Sequence, residues 1–215
     1  MACGSCVAAC PHGARQIFGQ EMSAEEIMAV VERDRAFYRH SGGGVTFSGG
    51  EATCQPTLLR HLAERLSRSG VHLALETCGY FPWARNEAAL RLMDLVYFDL
   101  KHMDSEAHER LTGAGNALIL ENAARIAGAG IPMIIRLPLV PGLNDSQENL
   151  EKTARFAAGL GASVPIEILP YHVLGRHKHQ AIGAFYTPGG LMPPSRDEMI
   201  QARARLEAAG ARVAG

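Results

Sequence analysis

The first eleven residues hold three cysteines, spaced Cys3-x2-Cys6-x3-Cys10 and followed at once by Pro11. Thiolates at such intervals can converge on an iron–sulfur cubane, and the cluster-binding run C-x2-C-x2-C-x3-C-P closes in the same way. Zinc also accepts two thiolates at x2 spacing, although the proline after the last cysteine favours the cluster run. The first cysteine of that run would fall three positions before Cys3, ahead of Met1. The expectation is a chain that begins inside the motif, with an incomplete or absent cluster on the metal candidates Cys3, Cys6 and Cys10.

Three further groups could do chemistry. Ser48-Gly49-Gly50-Glu51 pairs two glycines, which let a backbone approach a ligand and offer bare N–H and C=O groups, although a tight strand-to-helix turn needs glycine for steric reasons too. Asp99-Leu100-Lys101 puts a carboxylate and an amine on the same side of an extended segment, either to hold a zwitterion or as a solvated ion pair. His172 follows Leu169-Pro170-Tyr171 and can donate to a ribose or base edge or act as acid or base; His177 and His179 stand close behind it, and sequence does not rank the three. Cys54 and Cys78 read as small buried thiols.

These groups need elements to position them. Ser23-x-x-Glu26 is a capping box, and Ile27, Val30, Val31, Phe37 and Tyr38 recur at helical spacing up to Gly42–Gly44. Val45–Phe47 is a short strand leading into the Ser48 turn, followed by a helix on Leu58, Leu59, Leu62 and Leu66 that Gly70 closes. Strands are then expected at 71–75, 95–99, 131–137 and 164–169, with helices at 86–93, 117–129 and 147–160. A second capping box, Ser195-x-x-Glu198, starts a final helix. Strands alternating with helices at roughly 25–35 residues mean βαβ units and a parallel sheet. Five core strands are too few for a closed eight-stranded barrel, which leaves a partial barrel or an open doubly wound sheet. In both, the active face lies at the carboxyl ends of the strands, where Ser48–Glu51, Glu76–Gly79, Asp99–His102, Arg136 and His172 all fall.

Composition narrows the setting. The 215 residues carry a net charge of −1 with scattered Lys and Arg, so no nucleic-acid footprint is visible. No apolar run approaches the ~18 residues of a membrane span, and no signal peptide is apparent. Five cysteines, three of them crowded at one end, suit metal binding in a reducing cytoplasm better than a disulfide framework.

Taken together, several pieces of the chain resemble the glycyl-radical enzyme activating enzymes, the pyruvate formate-lyase activating enzyme-like branch of the radical S-adenosylmethionine (SAM) class. They are the run from Gly42 to Ala52 (GGGVTFSGGEA), Glu76-Thr77-Cys78-Gly79, Tyr97-Phe98-Asp99-Leu100-Lys101, Ile135-Arg136, Val140-Pro141-Gly142, Leu169-Pro170-Tyr171-His172, Leu174-Gly175 and His177-Lys178. The resemblance covers nearly all of 22–215, in order. It implies an α/β fold, a partial (β/α)6 TIM-like barrel over 22–215 lacking its first strand, preceded over 1–21 by the remnant of a ferredoxin-like insert. It also implies SAM binding by Gly49 and Gly50 at the methionyl amino group, within the motif that Glu51 completes. Glu76 and Thr77 would sit beside the methionine moiety; Asp99, Leu100, Lys101 and Arg136 would line the site, and His172 would approach the nucleoside. Glu76 and Cys78 depart from the Asp and Asn common in the family's Asp-Thr-Asn-Gly motif.

The family's chemistry is one-electron. A reduced [4Fe–4S] cluster, fed by a donor such as flavodoxin or ferredoxin, cleaves SAM to methionine and a 5′-deoxyadenosyl radical, which takes a hydrogen atom from a glycine of the partner glycyl-radical enzyme. Its cluster motif is C-x3-C-x2-C; Cys6-x3-Cys10 begins to match, but Gly13 stands at the third position. The resemblance thus implies a chain without the radical-cluster ligands, an N-terminal fragment-loss expectation, and an activase that is inactive without that segment. Two other readings are a non-catalytic SAM- or partner-binding scaffold, and an unrelated partial-barrel hydrolase or lyase using His172 and Asp99.

Overall fold

The computed structural model describes residues 3–17, 19–162, 164–173 and 190–214. Alternation of apolar and polar residues builds its sheet. In the strand Met133–Leu139, the side chains of Met133, Ile135, Leu137 and Leu139 are buried, while Ile134, Arg136 and Pro138 between them are half-buried. This is the period-two pattern of a strand with one face on a core and the other in an open cavity. The strands are β1 (Gly44–Phe47), β2 (His72–Thr77), β3 (Leu95–Asp99), β4 (Met133–Leu139) and β5 (Ile166–Pro170).

All four pairings are parallel, and the spatial order is β1-β2-β3-β4-β5. That order decides between the two architectures left open by the sequence. A doubly wound sheet reverses direction at a switch point, whereas here each right-handed crossover steps to the same side and puts every crossover helix on one face. The result is the arc of a partial TIM-like barrel. Its other face is left open, with Glu76, Tyr97, Asp99, Arg136 and Glu167 alternating onto it out of phase with the buried positions.

Helices α1 (Ser5–Ala8), α2 (Ala24–Arg33) and α3 (Arg35–Ser41) precede β1. The crossovers carry α4 (Pro56–Arg68), α5 (Trp83–Leu90), α6 (Ser105–Thr112), α7 (Ala117–Gly128) and α8 (Gln147–Leu160), and α9 (Arg196–Ala208) follows β5. Both expected capping boxes form, at Ser23/Glu26 and Ser195/Glu198. The expected single helix from Ile27 to Tyr38 is two, divided at Asp34. The short helix expected at 86–93 starts earlier, where Pro82 fixes an extended N-cap before Trp83. Helix α6 carried no apolar periodicity to announce it; it is started by the Asp104 side chain, which accepts from Ala107 N.

One core spans the sheet and its helices, with Leu66, Leu73, Leu75, Val96, Phe98, Ile135, Leu150 and Ile166 essentially inaccessible. Residues 3–17 and 19–27 contribute no fully buried side chain, and the core begins at Met28. A bidentate ion pair from Arg65 to Glu25 fastens α4 to α2.

Candidate functional site

Four strands deliver polar side chains to the open face at their carboxyl ends, and Arg136 gathers three of them. Its Nη1 donates to Glu76 Oε1 at 2.8 Å, Nε donates to Asp99 Oδ1 at 3.0 Å, and Nη2 lies 3.0 Å from the same oxygen. The register makes this possible, because Asp99 pairs with Arg136 across β3–β4 and Glu76 pairs with Tyr97 on the next strand over. The guanidinium carbon stands 5.2 Å from the Tyr97 ring centroid, within cation–π range. Burial works against the charge of Arg136, but the Glu76 hydrogen bond and the field of Asp99 outweigh it and raise its pKa further. The second oxygen of Asp99 lies 3.9 Å from Lys101 Nζ. Two cations and two carboxylates are therefore interleaved on one rim. That set can hold a ligand bearing an ammonium, a carboxylate and a further cationic centre.

The Ser48–Gly50 turn lies at the end of β1. Gly49 and Gly50 take φ of 73° and 45°, a region that side-chain-bearing residues rarely enter, and a Cβ on either would meet nothing within 4 Å. The glycines thus leave an open backbone surface, which a ligand can approach. An adjoining hollow of about 270 Å³ is lined by Phe47, the turn itself, Gln55, Leu58 and Leu62.

Glu51 joins this turn to the next loop. Its carboxylate accepts from Thr53 N (3.3 Å), Thr53 Oγ1 (2.8 Å), Thr77 Oγ1 (2.9 Å) and Cys78 N (2.9 Å). Burial opposes its ionisation, yet the Cys78 and threonine donors prevail and hold the carboxyl below the usual glutamate range. Glu51 therefore clamps the first rim loop to the second. Thr77 is on the core side of β2, 3% exposed, and its hydroxyl also accepts from Gly79 N. The Leu100 side chain is fully buried and its N–H donates to Arg136 O, so Leu100 supports its neighbours from within the core. His172 lies beyond β5, exposed, next to Tyr171, whose N–H is bonded to Leu139 O. Leu174, Gly175, His177, Lys178 and His179 lie outside the described residues.

The cysteines stay apart from this site, with one exception. Cys3 and Cys6 are exposed and Cys10 is half-buried around α1. A hydrogen bond with the Ser5 hydroxyl lowers the pKa of Cys3, and backbone N–H groups at His12 and Ala14 lower that of Cys10. Cys54, expected to be buried, is exposed at the end of the 3-10 turn Ala52–Cys54. Cys78 is half-buried on the rim; burial, with the neighbouring Glu51 carboxylate, pushes its thiol up. Among the described residues no three His, Cys, Asp or Glu side chains converge on one metal position.

Sequence reasoning missed a set of buried asparagines beneath the rim. Asn122 Nδ2 donates to Gly79 O and Phe81 O, both at 2.8 Å, and Asn116 Nδ2 donates to His102 O and Met103 O. Asn144 and Asn149 complete the set between the β3–α6 and β4–α8 loops. The signal was faint: Asn122 and Asn149 sit inside amphipathic helices on the apolar side, where asparagine is otherwise unfavourable.

Residues 5–157 match the family described as the Radical SAM superfamily. The isethionate sulfite-lyase activating enzyme of Oleidesulfovibrio alaskensis is 39% identical over 180 residues, covering 82% of this chain and 58% of that protein. The pyruvate formate-lyase 1-activating enzyme of Escherichia coli K12 is 37% identical over 199 residues, covering 91% of this chain and 80% of that protein. The crystal structure of a domain of a pyruvate-formate lyase-activating enzyme from Bacteroides vulgatus superposes with a TM-score of 0.67 at 31% identity, covering 80% of this chain and 98% of that one. The chain thus spans less than two thirds of the isethionate sulfite-lyase activating enzymes it matches.

Proposed function

The chain belongs to the radical SAM superfamily, among the relatives of the glycyl-radical enzyme activating enzymes, and from that premise we propose that its rim is a SAM site. The family's cofactors are SAM and a [4Fe–4S] cluster. The carrying observation is the Arg136 hub beside the open Gly49–Gly50 backbone. The residues fit SAM. Backbone groups of Gly49 and Gly50 would receive the methionyl ammonium, Lys101 and Arg136 its carboxylate, and Glu76 and Asp99 would offset the sulfonium charge. Exposed His172 would meet the nucleoside. Glu51 and Thr77 hold the loops in place, and Leu100 excludes water from below.

With an electron from the family's reduced [4Fe–4S] cluster, SAM held there would supply the hydrogen-abstracting chemistry that acts on the glycine of a partner. The partner would be a glycyl-radical enzyme, the electron donor a flavodoxin or ferredoxin, and the setting the cytoplasm. Cys3, Cys6 and Cys10 would be the metal candidates of an incomplete ferredoxin-type run, and among the described residues no three His, Cys, Asp or Glu side chains group at one metal position. Residues 1–21 would then be a unit separate from the barrel body over 22–215.

Isothermal titration of the purified chain with SAM tests the site. One saturable event that Arg136→Met weakens is the expected outcome; no binding at millimolar SAM would remove the reading. Capture of a glycyl-radical enzyme with SAM bound, but with no glycyl signal by electron paramagnetic resonance under reducing conditions, would favour a non-catalytic scaffold.

A further inference from the structure

Lys101 must present its ammonium to the rim from a loop, without a strand partner to fix it. The Asp99–Leu100 peptide, one residue upstream, is fixed because Leu100 N donates to Arg136 O at 2.9 Å, and the Leu100 side chain is locked in the core. The peptide that follows Lys101 is fixed by one side chain. Asn144 Nδ2 donates to Lys101 O at 2.9 Å and to Pro138 O at 2.7 Å, while its Oδ1 accepts from Val140 N at 2.8 Å. Peptide planes are rigid, so holding the Asp99–Leu100 and Lys101–His102 planes, with the Leu100 side chain buried between them, restricts the few soft dihedrals in between and with them the direction of the Lys101 Cβ. Asn144 is 4% exposed, and both of its amide hydrogens are used. Its own carbonyl accepts from Asn149 Nδ2 at 2.7 Å, and Asn149 Oδ1 in turn takes Met103 N at 2.9 Å. The segment Lys101–Met103 is thereby suspended from β4 and α8 through side-chain amides.

We propose that Asn144 is a positioning residue that sets the Lys101 ammonium at the rim by tying the Lys101 carbonyl to the Pro138 carbonyl and the Val140 amide of the β4 exit. The role of Lys101 at SAM rests on the site reading above, whereas the positioning of its backbone does not. Asn144 touches no ligand; it acts through the loop. Aspartate keeps the acceptor for Val140 N and loses both donated bonds, so N144D and N144A remove the tie to different extents.

Two measurements on the full chain test this. Hydrogen exchange without ligand reads the tie directly: N144A should speed exchange over 101–103 and at Val140, while Leu66→Ala, a core truncation in α4 of comparable thermal cost, should not. Calorimetric SAM titration of K101A, N144A and the double variant reads its consequence. Each single change should weaken SAM by about tenfold, the scale of one hydrogen bond to a charged group, and the double variant no further than the stronger single. Fully multiplicative losses, or unchanged exchange over 101–103, would overturn the proposal. If N144A does not fold, N144D, which also loses the bond to Lys101 O, carries the comparison for SAM and for exchange over 101–103, with Val140 unchanged. A wild-type chain that fails to bind SAM, or a K101A that binds it unchanged, defeats the SAM reading instead, and the exchange data alone then decide whether Asn144 holds the loop.

Discussion

Replacing Glu51 tests how the first two rim loops are joined. Its carboxylate satisfies four donors, three of them on Thr53 and Thr77, which are 2% and 3% exposed. In Glu51→Gln, one amide oxygen can keep the threonine hydroxyls, but the new NH2 group faces Cys78 N–H, donor against donor. A hydrogen bond to a charged acceptor contributes about 1.5–3 kcal/mol, and a stranded buried donor costs about 1–3 kcal/mol. Because the amide oxygen keeps the Thr53 and Thr77 donors, the loss is concentrated at Cys78 N–H and in the change from a charged to a neutral acceptor, and about 2–3 kcal/mol is the expected cost near neutral pH. For a domain of this size that lowers the melting temperature by about 4–12 °C.

The pH dependence supplies a second arm. Glu51 has a folded pKa below its ordinary value of 4.5. The unfolded chain therefore binds the proton more readily, and stability rises with pH across that interval. The Glu51 contribution is fully present above about pH 4.5 and is lost as pH falls through the lower folded value. Urea unfolding of both proteins should thus show a gap at neutral pH that narrows in acid. A Gln variant within about 0.5 kcal/mol of the parent at neutral pH, the range of neutral surface changes, would refute the argument, as would a gap that persists unchanged through acid.

Gly79 takes φ of 77°, and a Cβ there would lie 2.2 Å from Phe98 Cζ, a ring enclosed by the core. Gly79→Ala should cost about 3 kcal/mol or more in urea unfolding, combining left-handed backbone strain with core overpacking; a cost below about 1 kcal/mol would show that Phe98 is free to move. Arg136→Met leaves Glu76 and Asp99 facing each other without their shared cation. The expected loss is about 2–4 kcal/mol in unfolding free energy, with SAM affinity falling by more than tenfold in calorimetry; unchanged affinity would remove Arg136 from the site.

Much of this protein is local in origin and could be read along the chain. Ser23 and Ser195 announce helix starts because a cap and its third residue are covalent near-neighbours, and both boxes form. Strands β2 to β5 are visible in their apolar alternation, and each carries its polar residue at the carboxyl end, so the rim with Glu76, Asp99, Lys101 and Arg136 follows from the order of residues. The motifs from Gly42 to His172 likewise announced the family. Which partners Arg136 takes among those residues depended on the register between strands, contacts 37 and 60 residues apart that no local pattern encodes. Register made Arg136 a hub, while the folded loops joined Glu51 to Thr77 as a clamp and drew Asn144 beneath Lys101 across 43 residues. Side-chain amides have no periodicity to betray them, so their role is set only when the folded loops bring orphan carbonyls and amides within reach and exclude the water that would otherwise satisfy them.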